Sequence, residues 1–361
     1  MYSEDDLEAA IAAGVVDRAS VERLRDYLAR ASRTATVDEE HFRLVTGFND
    51  IFVSIASVLL LIALGWIGQT IPIGLADGPR PLGGLFIAAA AWGLAEFFTA
   101  RRRMALPSIL LLAGFVGGLF AFTGATLVGL LDAMGIHDPG KTIGALVLAG
   151  SGLIAGVGAW VHWRRYHVPI TVAAGVAAAV VVVLALLASA VPAVADQLTI
   201  PAFIAGLAVF GLAMRWDMSD PKRETRRADV AFWLHLLAAP LIVHPVFAML
   251  GLLKGGVGLG GASIVIALYI ALGLVALAID RRALLVSALA YVLYALSTLF
   301  REFGAVSLNV ALTALVLGSA LLMLSAYWTS VRASVLAMLP EALRARLPEA
   351  NEAPTPATRA A

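Results

Sequence analysis

The chain contains no cysteine. That absence excludes disulfides, thiolate nucleophiles and cysteine metal sites together. Charge is also scarce. Asp, Glu, Lys and Arg make up 14% of the 361 residues, where a soluble domain carries about 25%. Missing too are the alternating apolar and polar segments, about 10 residues long, that build a membrane β-barrel. No cleavable leader is visible: the N-terminus is acidic at Glu4, Asp5 and Asp6, and the first apolar run begins only near Asp50. The first apolar segment is therefore expected to direct insertion itself. The net charge of +1 decides nothing.

What fills the chain instead is apolar residue, at 60%, with a mean hydropathy of +0.89. About 20 apolar residues in a helix cross a bilayer core of about 30 Å. The pattern predicts an all-α polytopic transmembrane bundle of about ten spans, at 50–71, 81–100, 105–131, 142–161, 168–190, 198–214, 228–253, 259–279, 283–300 and 305–328. The expected divisions are a cytoplasmic helical hairpin and juxtamembrane segment at 1–46, the spans at 47–329, an amphipathic interfacial helix at 330–348 and a disordered tail at 349–361.

Orientation follows from the basic residues. The N-terminal segment, Arg101–Arg103, Arg164/Arg165, the 215–227 loop, Arg281/Arg282 and the C-terminal tail fall on one side and hold 22 of the 26 Lys and Arg. The other side holds Arg80, Lys141, Lys254 and Arg301. Both termini are thereby expected in the cytoplasm.

In the soluble segment, Leu7, Ala10 and Ile11 share one helical face and Val21, Leu24 and Leu28 another, with Gly14 between them. Asp17 or Ser20 can cap the second helix. So small a hairpin has little core, and it can be a plain extension or a docking module for a protein partner. Asn49 and Asp50 stand at the lip of the first span, where a carboxylate meets the positive end of the helix dipole. Beyond Tyr327-Trp328, the residues Val331, Val335, Leu336 and Leu339 face one way, while Arg332, Arg344 and Arg346 form a polar face, as for a helix lying on the membrane.

Two motifs read as look-alikes. Gly135–Thr142 matches the phosphate-loop letters, but that loop works between a strand and a helix, and here it joins two spans. Gly256–Gly261 contains G-x-G-x-x-G in another turn between spans. The small-residue spacings Gly114/Gly118 and Gly152/Gly156 allow close helix approach within the bundle. No nucleic-acid partner and no cofactor are expected, and the lipid bilayer is the expected surrounding.

The candidate site is the seventh span, with His235, His244, Pro240 and Pro245. Ionisable residues in a span are candidates for function. Each proline deletes a backbone hydrogen bond, and broken helices at mid-membrane line sites in transporters. Pro240 and Pro245 are thus expected to break the span. Nine residues at about 100° each put His235 and His244 on opposite faces, which argues against one metal site. Glu96 either pairs with Arg101–Arg103 at the interface or turns inward to meet His235. Neutral, hydrogen-bonded histidines are the alternative to proton or solute handling.

The stretch FRLVTGFNDIFVSIASVLLL, with AAGVVDRASVERLRDYLA before it and MLPEALRARLP at the end, resembles an uncharacterised group of bacterial polytopic inner-membrane proteins with an N-terminal cytoplasmic hairpin. The resemblance implies a bacterial inner membrane and assigns no activity or catalytic residue. Two functions stay open: a transporter or permease-like protein whose broken seventh span lines a path, and a non-transporting scaffold or sensor whose hairpin docks a partner.

Overall fold

The computed structural model describes residues 14–21, 23, 48–73, 80–220, 225–251, 259–281, six positions between 285 and 297, 309–344 and 347. The chain divides into two compact units, residues 1–43 with 351–361, and residues 44–350. In the first, the described turn begins at Gly14 with φ +67° and leads into a helix that starts at Arg18. Asp17 caps it: its carboxylate accepts from the Ser20 backbone N–H at 2.6 Å and from the Ser20 hydroxyl at 2.7 Å. These bonds from Ser20 hold the Asp17 carboxyl below its ordinary 3.8. The remainder of the hairpin and the 349–361 tail lie outside the described residues.

The larger unit is an all-α membrane bundle. Its longer helices, among the described residues, are α1 (Phe48–Thr70), α2 (Pro81–Phe98), α3 (Ala105–Ala133), α4 (Gly140–Tyr166), α5 (Ile170–Ala190), α6 (Thr199–Met218), α7 (Arg226–Met249), α8 (Leu259–Ile279), α9 (Asn309–Ala326) and α10 (Trp328–Ala337). Among the described residues, the eight helices α1 to α8 are each long and apolar enough to cross a membrane, and α9 with α10 would make a ninth. The expected span at 283–300 falls mostly outside the described residues, though Leu285, Leu289, Val292 and Leu296 are helical and pack into the core.

The helices pack by a rule suited to lipid. On α1 the enclosed stripe is Asp50, Ser54, Ser57, Leu61, Gly65 and Gly68. Its large apolar side chains point outward, with Phe52 58%, Leu59 62% and Trp66 74% exposed. Lipid solvates those groups, so small residues go inside, where backbones can approach closely. The crossing of α2 and α3 depends on this. A Cβ on Gly84 would lie 2.5 Å from the Phe122 nitrogen, and one on Gly118 would lie 2.7 Å from the Ala88 nitrogen. The Gly152 stripe likewise faces α5, where a Cβ would meet Val182 at 3.0 Å. Both expected stripes serve contacts inside the bundle.

One core cluster joins α1, α2 and α3 through Leu61, Ala91, Ala95 and Leu111. Others surround α7, joining it to α5 and α6 through Val209, Val230 and Leu234, and to α8 and α9 through Phe247, Val265 and Leu317. With half of its apolar window buried, α7 is the most enclosed of the eight candidate spans.

Three expectations change. First, α7 runs as one helix from Arg226 to Met249 through both Pro240 and Pro245. The prolines do not break it, because neighbouring helices hold the segment in place. Second, α6 extends four residues past the expected end at 214, to Met218. A helix ends where its hydrogen bonds end, not where hydropathy falls, and this extension brings Asp217 into the helix. Third, Arg332 is not on an outward polar face. The helix α10 turns 74° from α9 and packs on α8, with Trp328, Arg332 and Leu336 buried.

Candidate functional site

The two candidate histidines part company. His244 is exposed on α7, while His235, nine residues earlier, is fully buried. Pro240 is exposed and Pro245 buried. The opposite faces follow from helical spacing alone.

His235 reaches the penultimate residue of α6. Its Nε2 lies 2.7 Å from Oδ2 of Asp217, itself 3% exposed. A carboxylate only accepts, so this ring nitrogen carries the proton. Asp217 also takes both arms of Arg281: Nη2 donates to Oδ1, and Nε donates to Oδ2 at 3.3 Å. The same Nη2 donates to the Ala228 carbonyl at 3.3 Å. Arg281 is 2% exposed. The Phe210 ring stands edge-on to the imidazole, with centroids 5.3 Å apart. Three chain segments, the end of α6, the third turn of α7 and the residues after α8, are thereby tied together at the arginine-rich end of the bundle.

The turn after α8 explains how Arg281 gets there. Asp280 adopts left-handed backbone, φ +57°, and the Arg281 N–H bonds the Ala276 carbonyl at 2.8 Å while the Asp280 N–H bonds the Leu277 carbonyl at 3.3 Å. This is a Schellman ending, and aspartate tolerates the left-handed state better than most residues. It sends two neighbouring side chains to different partners. Arg281 goes to Asp217. Asp280 accepts from the Trp328 indole N–H at 2.7 Å, and Arg332 Nε lies 3.6 Å from the same carboxylate. Two carboxylates and two guanidiniums are thus buried in balanced charge.

Glu96 is elsewhere. It accepts from Arg165 through Nε at 3.1 Å and Nη2 at 2.7 Å, and from the Tyr166 hydroxyl at 2.9 Å. It does not join His235, and its principal partner is Arg165 rather than Arg101–Arg103. A further histidine that hydropathy places just beyond the fourth span, His162, is fully buried and faces the Thr171 hydroxyl at 3.1 Å. It packs beside Trp92, Phe115 and Tyr166.

Of the residues in the buried ionic network, sequence reasoning finds His235 alone. Asp217, Asp280, Arg281 and Arg332 read there as loop or surface charge. A usable signal exists for two of them: Asp280-Arg281 directly abuts an apolar run with no polar spacer, so its charges begin at the bundle end. Near Trp328 and Tyr269 a cavity of about 190 Å³ is walled mainly by leucines, and neither histidine of α7 lines it. Gly135–Thr142 joins α3 to α4, and its Lys141 pairs with Asp196. The first half of Gly256–Gly261 lies outside the described residues, and its second half opens α8.

Compared with protein-family models, with curated proteins and with solved structures, the chain matches none.

Proposed function

We propose that the protein is a scaffold or sensor of a bacterial inner membrane rather than a carrier, with both termini in the cytoplasm and residues 1–46 docking a protein partner. The observation that carries this reading is the enclosure of His235. Its ring and Arg281 both bond Asp217, and all three side chains are buried at one end of the bundle. A proton or solute path needs such groups to face water or one another across a passage. Here they clamp helix ends. The continuous α7 and the separate pairing of Glu96 with Arg165 support the same reading. The asymmetry of basic residues supports the orientation, and the likeness of the terminal stretches to uncharacterised bacterial inner-membrane proteins supports the location.

The test is flux. Purified protein in sealed vesicles is expected to leave proton and solute permeability at the protein-free level, and His235→Ala is expected to change nothing in flux. A flux that appears with the natural protein and disappears with His235→Ala would restore the transporter reading.

A further inference from the structure

We infer that the arginine-rich end of α6 and α7 forms a binding site for the phosphate headgroup of an anionic phospholipid. A recess of about 330 Å³ is lined by Leu212, Arg215, Trp216, Ser219 and Arg227. Arg215 lies in the last turn of α6 and Arg227 in the first turn of α7, so two guanidiniums flank one opening from two helices. Both side chains are exposed, and neither meets an acidic group among the described residues.

Two nearby carboxylates on α6 and just after it have other partners. Asp217 faces inward to His235 and Arg281, and Asp220 accepts from the Thr225 N–H at 2.9 Å and the Thr225 hydroxyl at 2.7 Å. Among the described residues lining the recess, the two arginines are the charged ones and none is acidic. Guanidinium forks match phosphate oxygens in geometry as well as charge. Ser219, also in the lining, donates its hydroxyl proton to the Trp216 carbonyl at 2.7 Å.

The rest of the lining selects a lipid over a soluble phosphate. Trp216 supplies an amphipathic ring suited to headgroup depth. Leu212, one turn deeper on α6, continues the wall toward the bilayer core. A phosphodiester in the recess would thus leave its acyl chains running along α6, in the leaflet where basic pockets between spans bind anionic headgroups.

The full chain in detergent micelles is the material for the test. Bound lipid is counted by native mass spectrometry after addition of phosphatidylglycerol or phosphatidylcholine. We expect a preference on the order of tenfold for phosphatidylglycerol, from two arginines near the headgroup. Arg215→Gln with Arg227→Gln should abolish that preference, and Arg227→Gln alone should reduce it. Arg101→Gln with Arg102→Gln, at another basic turn, should leave it intact. Equal loss in that control would show diffuse attraction to basic charge and overturn the site. Millimolar inorganic phosphate or glycerol phosphate that displaces the lipid completely would overturn the lipid assignment in favour of a soluble anion. Failure of the recess variants to change anything would also overturn it.

Discussion

Asp217 accepts from two side chains, His235 and Arg281, that arrive from different parts of the chain. Removing one partner of a buried ion pair costs about 3–5 kcal/mol, because the remaining charge keeps its desolvation penalty. Asp217→Asn is expected to lower the unfolding free energy in micelles by that order, and Arg281→Gln in the same chain to recover part of the loss. Strict additivity of the two substitutions would refute the pairing. Glu96→Gln should cost much less, since Glu96 and Arg165 are 38% and 54% exposed and water screens them. In the soluble segment, Asp17 titrates below its ordinary value because Ser20 holds its charged form. A depressed carboxyl stabilises above the unfolded value and loses that effect as pH falls through the folded one. The Ser20 amide resonance should therefore hold steady from neutral pH to about 4 and shift only below, while Asp17→Ala should move it already at neutral pH. At this scale the sequence made His235 and Asp17 visible. It hid Asp217, whose neighbours Arg215 and Ser219 make it look like part of a loop.

At the scale of the element, helices meet where side chains are smallest. A methyl on Gly118 would strike the Ala88 nitrogen, whereas one on Gly117 meets nothing within 4 Å. Gly118→Ala is expected to lower the thermal stability of the purified protein by several degrees. Gly117→Ala should leave it unchanged or raise it slightly, since alanine is the better helix former by about 1 kcal/mol. The reverse order would refute the crossing. The crossing of α6 and α7 uses a different device. Pro245 has no N–H, so the Leu241 carbonyl lacks its helical partner. It is there that Gly206 comes closest: a Cβ on Gly206 would sit 2.9 Å from that oxygen. A proline that hydropathy alone reads as a break becomes a docking point for the neighbouring helix. The small-residue stripes were legible as packing faces, because spacing determines which residues share a face. Which helix each stripe meets was not, because that depends on contacts between segments distant in sequence.

For the whole molecule, threading is the claim with the most direct test. The chain has no cysteine, so single cysteines can be placed without removing others. Cysteine at Arg102, between α2 and α3, and at Asp138, between α3 and α4, should react with an impermeant maleimide from opposite faces of sealed membranes, with Arg102→Cys labelled only after permeabilisation. Labelling of both from one face would refute the orientation. The sequence by itself determined that this is an all-α membrane bundle, and it located most of the spans to within a few residues. Hydropathy and helical period are local properties, and lipid enforces them segment by segment. Only the tertiary structure decided that four charges from three separate segments close into a buried network, that α7 stays whole through its prolines, and that Glu96 and His235 serve different clusters. Those outcomes depend on where a helix stops and how its last residue turns: four more residues of α6 and one left-handed aspartate after α8 are what bring Asp217 and Arg281 together.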